Sequence, residues 1–93
     1  MVYCVSYDLR APGRNYLSLF EAIKSSGYWW HQTESVWFVI SKKSAVEIRD
    51  TLMKLMDEND KLFICALQKE WAGRGFSEEE YNWLKSIPED NWR

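Results

Sequence analysis

The chain reads as an α+β domain with the element order β-α-β-β-α-β and one extra helix at its C-terminus. Three observations predict this. Apolar periodicity alternates between two residues and about 3.6 along the chain. Two Ser-x-x-Glu boxes, at Ser44 and Ser77, open helical stretches. Gly and Pro fall between the periodic runs and not inside them. At 93 residues this is a single domain. Its core spans residues 2–68, with a C-terminal extension over 69–93.

Val2 to Tyr7 is a β-branched and aromatic run, a first strand that ends at Asp8. Pro12-Gly13 punctuates the loop that follows. Tyr16, Phe20 and Ile23 then recur at helical spacing, Leu17 and Leu19 widen the stripe, and Gly27 stops it. Tyr28 to Gln32 is a short aromatic strand, Thr33-Glu34 a tight turn, and Ser35 to Ser41 the returning arm. Ser44 and Glu47 open a second helix with Ala45, Ile48, Leu52 and Leu55 on one face. The acids of Asp57–Asp60 oppose the negative end of its dipole and should end it. Lys61 to Gln68 is a fourth strand, and Ser77 to Pro88 frames the last helix.

This is the ferredoxin-like order, in which two helices cover one face of the sheet. The other face should turn polar, yet both faces are apolar. Val36, Phe38 and Ile40 oppose Trp37 and Val39, and Phe63, Cys65 and Leu67 oppose Leu62, Ile64 and Ala66. A second copy packed sheet on sheet is the simplest cover, and a C-terminal helix folded back is the alternative.

Composition narrows the function. Six Trp and 16% aromatic residues are unusual in so short a chain. Residues 1–69 carry nine Lys/Arg against eight Asp/Glu, and residues 70–93 three against six. Neither balance suits a grip on long DNA or RNA through phosphates alone. No signal peptide or apolar run long enough for a bilayer is visible, which predicts a cytoplasmic protein with no membrane partner. Cys4 and Cys65 lie in apolar runs and read as buried free thiols.

Strand one ending in Tyr7-Asp8, an Arg-bearing loop, Gly27, and Gln32 with Ser35-Val36 resemble the CRISPR-associated protein 2 family over residues 2–68. Glu70-Trp71 followed by Gly75-Phe76 is similar to its small stand-alone relatives. The resemblance implies a homodimer in which Asp8 pairs across the axis and can hold a divalent metal. Some members are metal-dependent nucleases, and others are non-catalytic scaffolds on DNA.

The residues themselves leave three readings open. In the first, a homodimer binds a nucleotide-type ligand or short nucleic acid without a cofactor. Arg10, Arg14 and Asn15 stand before a helix N-terminus, where an anion gains from dipole and guanidinium. Trp30, His31 and Trp71 offer stacking faces, Arg74 sits between two glycines, and Tyr7 closes strand one. Such a protein would act by sequestering a nucleotide signal, as phage-encoded sponge proteins do, and so belong to phage or prokaryotic defence. In the second, Asp8 is the catalytic and metal residue of a Mg²⁺- or Mn²⁺-dependent nuclease of RNA or DNA. In the third, the chain is a scaffold. The arginine-plus-aromatic enrichment favours the binder, and a lone acid disfavours robust catalysis.

Overall fold

The structure is a computed structural model, and it describes residues 1–92. The elements run β1 (Val2–Asp8), α1 (Leu17–Ser25), β2 (Tyr28–Thr33), β3 (Val36–Ile40), α2 (Ala45–Met53), β4 (Lys61–Ala66) and α3 (Glu78–Lys85). A 3-10 turn follows over Glu89–Asn91. One four-stranded sheet has the order β2-β3-β1-β4, antiparallel throughout. That is an α+β architecture compatible with the ferredoxin-like arrangement. No helix among the described residues is long and apolar enough to cross a membrane.

Each predicted element forms, with local shifts. The hairpin turn is Glu34-Ser35 and not Thr33-Glu34, because Thr33 stays in β2 opposite Val36. Ser35 takes the left-handed conformation, φ 61°. α1 begins at Leu17, whose side chain is exposed, so the stripe narrows to Leu19 and Ile23 with Phe20 beside them. α2 ends at Met53, earlier than its acidic sequel suggests, although Leu55 still packs on the core. β4 stops at Ala66, two residues short of Gln68.

Both capping boxes are present in full. Ser44 accepts from the Glu47 N–H and Glu47 accepts from the Ser44 N–H, at 3.1 and 3.0 Å. Ser77 and Glu80 repeat this at 3.1 and 2.7 Å. Losing such a cap costs about 1 kcal/mol. Ser44→Ala and Ser77→Ala are each expected to lower the urea midpoint accordingly. A variant indistinguishable from wild type would show that its box carries no stability.

Two cores lie on opposite faces of the sheet. Tyr3, Val5, Trp37 and Val39 pack against Leu19, Ile23, Ile48 and Leu52 of α1 and α2. On the second face Val2 and Trp30 pack against Leu84 and Ile87, with Phe38, Ile40, Phe76 and Trp92 around them. The C-terminal helix therefore folds back over the β2–β3 half of that face. The alternative cover is the one seen there, which removes that half from any sheet-on-sheet contact. A narrower strip remains, with Cys4, Ser6 and Cys65 half-buried and Phe63 69% exposed. The two cysteines are free, but they are half-exposed and not buried.

Candidate functional site

The second face holds the cavity with the most distinctive chemistry. β-Pairing sets Trp30 opposite Phe38, and their rings stack at 4.9 Å and 11°. Phe76 tilts onto Trp30 at 5.3 Å and meets Tyr81 of α3 edge-on at 5.6 Å. Tyr81 in turn lies parallel to Trp71 at 6.3 Å. The indole N–H of Trp30 donates to the Glu80 carbonyl at 3.1 Å, which satisfies a buried donor and fixes the start of α3 over the sheet. Lys69 pairs with Glu89 and ties the connecting segment to the C-terminal tail.

Between these rings lies a cavity of about 270 Å³. Thr33, Gln68, Glu70 and Trp71 stand at its wall, and no Lys or Arg among the described residues lines it. Its size is near the lower end of ligand pockets, about 300 Å³. Gly73 also lines it; a Cβ there would come within 3.0 Å of the Tyr81 ring. The backbone thus approaches the aromatic wall closely, and the next residue, Arg74, is exposed.

Of the residues singled out in the sequence, Trp30 and Trp71 come together in this cavity. Arg74 follows the Gly73 wall in sequence without lining the cavity, and the others lie elsewhere. Tyr7 is in the helix-covered core, where its hydroxyl accepts from the Trp37 indole at 3.0 Å. Burial pushes its phenol up, against the lowering pull of that bond. His31 stacks on Trp37 at 3.8 Å and 12°, on the face opposite the cavity. Burial and then the Lys24 ammonium push its imidazole down, against a hydrogen bond at the Thr33 backbone. Its Nε2 is buried without a partner.

The loop after β1 is largely self-satisfied. Arg10 pairs with Asp8 at 2.7 Å, and both side chains are exposed. Arg14 sits over the Tyr16 ring at 5.6 Å and donates to the Leu55 carbonyl at 3.4 Å, with Asp57 at 4.0 Å. Asn15 accepts from the Leu17 N–H at 2.9 Å, which takes up one free amide of the α1 N-terminus. Asp8 has a guanidinium where a divalent cation would sit. No group of three or more metal-capable side chains occurs among the described residues.

Asp60, which the sequence marks only as part of the acidic stop after α2, organises this loop. It accepts from the Arg10 N–H at 2.6 Å, the Tyr16 hydroxyl at 2.8 Å and the Asp57 N–H at 2.8 Å. Desolvation pushes its carboxyl up, but these bonds together outweigh it and the net shift is downward. A carboxyl held low in the fold stabilises it fully above its unfolded value, about 4, and loses that contribution as pH falls through the folded value. Asp60→Asn is expected to lower the urea midpoint at neutral pH and to flatten its decline below about pH 4. An acid limb as steep as wild type's would assign that decline to other carboxylates.

The remaining cavity residues were also missed. Phe38 was legible as an inward position but not as Trp30's partner, which needs the hairpin register. Tyr81 and Trp92 required knowing where α3 docks. No protein-family model matches the chain.

Proposed function

We propose that this chain is a small non-catalytic binding protein that takes the base of a nucleotide-type ligand into the aromatic cavity. The observation that supports it is the ladder Phe38–Trp30–Phe76–Tyr81–Trp71 around a ring-sized space. Stacking on such faces is worth about 1–3 kcal/mol per base. The absence of a lining cation among the described residues puts the phosphate outside, where Arg74 is the nearest exposed guanidinium in sequence to the Gly73 wall. Glu70 and Gln68 offer acceptors for the exocyclic amine of a base. A ferredoxin-like homodimer belongs to the same reading. The strip around Phe63 is what a second copy would cover.

Calorimetry against mononucleotides, cyclic dinucleotides and short oligonucleotides tests it, with light scattering of the free and loaded protein. A ligand should bind below about millimolar. Trp71→Ala and Arg74→Ala should each weaken it roughly ten- to a hundredfold. Arg14→Ala, whose guanidinium is engaged within the loop, should change affinity little. A mass near twice 11.1 kDa would support the dimer. If no panel member binds, scaffold becomes the better reading. Mg²⁺- or Mn²⁺-dependent cleavage that disappears in Asp8→Asn would replace the binder with a nuclease.

A further inference from the structure

The strip that α3 leaves open carries two thiols in register. β1 and β4 pair antiparallel with Cys4 directly opposite Cys65. The Leu67 N–H donates to the Val2 carbonyl at 2.8 Å. Hydrogen-bonded pairs recur at every second residue of an antiparallel ladder, so the Cys4–Cys65 pair is of that kind. Its Cα atoms are then about 5.5 Å apart, inside the span of about 4.4–6.8 Å that a disulfide bridges. Directly opposed residues project to the same face of the sheet, here the face with Ser6 and Phe63. Both cysteines are free and half-exposed. Neither belongs to the aromatic cavity.

We propose that Cys4 and Cys65 are a reversible dithiol–disulfide pair, oxidised by a low-molecular-weight disulfide such as glutathione disulfide. The Cys65 thiolate, on the edge strand, attacks one sulfur of the oxidant. Its S–S bond breaks, and one glutathione leaves as thiolate and takes up a proton. Cys4 then attacks the Cys65 sulfur, forms the intramolecular bond and expels the second glutathione. Two electrons and two protons pass from the dithiol to the oxidant, and no further reactant is needed. Burial, and after it the neighbouring Cys65, pushes the Cys4 thiol up, which suits it to the resolving role over the first attack. The bond joins an edge strand to the central strand across most of the chain, and such a long loop is where a crosslink restricts the unfolded state most.

The test uses the full chain at sub-micromolar concentration, so that association over the strip does not cover the thiols. It is equilibrated at about pH 8.5, near the free thiol value, in buffers of rising glutathione disulfide to glutathione ratio. The intact mass is expected to fall by two hydrogens, and both thiols should resist alkylation. A peptide map should join Cys4 to Cys65, and Tm should rise by about 5 °C or more. Dithiothreitol should reverse all four. Cys4→Ser should stop at a glutathione adduct on Cys65, because the resolving thiol is gone, while Cys65→Ser should accumulate far less adduct. A lasting glutathione adduct on wild type, a disulfide between two chains, or two alkylatable thiols at the most oxidising ratio would each overturn the proposal.

Discussion

Trp37→Glu is expected to leave no folded population at 25 °C. Trp37 is 2% exposed at the centre of the helix-covered face. It carries His31 on one contact, Phe20 at 6.1 Å on another and Trp29 at 5.4 Å on a third. Its indole N–H is also the donor that satisfies the buried Tyr7 hydroxyl. Removing a Trp side chain from a core costs about 3–5 kcal/mol. A carboxylate in so enclosed a position adds several kcal/mol of desolvation. The sum is comparable with the whole stability of a typical small domain, about 5–15 kcal/mol. Near-UV circular dichroism and urea titration should therefore show an unfolded or insoluble chain. Trp37→Phe keeps most of the stacking surface and loses the hydrogen bond. It should remain folded with a loss of about 1–2 kcal/mol. A native-like Trp37→Glu spectrum would mean that the position is not enclosed.

The contrast between what the residues disclosed and what they hid follows from how far each signal reaches. β1 and α2 were legible because each is decided locally, by alternation or by a capping box and a four-residue repeat. The hairpin turn slipped by one residue because Thr33 is as good a strand former as a turn former, while Ser35 accepts a positive φ that only the closed hairpin demands. Leu17 looked like part of an apolar stripe, yet its exposure depends on where α1 starts, and Tyr16 at that boundary makes no side-chain cap of the kind that marks α2 and α3. That the second face was apolar could be counted strand by strand. Which body covers it could not, since an apolar face records that it must be covered and not by what. The cavity was the least legible feature. Trp30, Phe38, Trp71, Tyr81 and Trp92 come from separate segments that meet only after α3 has docked.

Gly27 shows how a position can be read correctly for an incomplete reason. In the sequence it stops α1, as glycine after a helix commonly does through a left-handed conformation. In the fold Gly27 is not among the residues with positive φ, which are Gly13, Ser35 and Gly75. What it supplies is space. A Cβ built there would lie 1.9 Å from the Ile40 carbonyl oxygen and 2.9 Å from its carbon. Ile40 cannot yield easily, because it is paired with Val2 on one side and Tyr28 on the other. The next residue, Ser41, is held at both backbone groups by Met1, at 2.9 and 2.7 Å. Gly27→Ala must therefore push the start of β2 away from β3 by an ångström or more. Overpacking against side chains costs about 1–3 kcal/mol, and a backbone obstacle with no rotamer to escape into belongs at the top of that range or above it. The expected loss is about 3 kcal/mol or more, a fall in Tm of roughly 12–24 °C for a domain of this size. Amide exchange at Tyr28 and Trp29 should accelerate with it, ahead of exchange in β1. Gly75→Ala is the matched control. Its Cβ would meet nothing within 4 Å, and its φ of +91° imposes strain without a clash. That strain costs about 1–2 kcal/mol. If Gly27→Ala proved no more destabilising than Gly75→Ala, the close approach of β2 to the Ile40 carbonyl would not exist in solution.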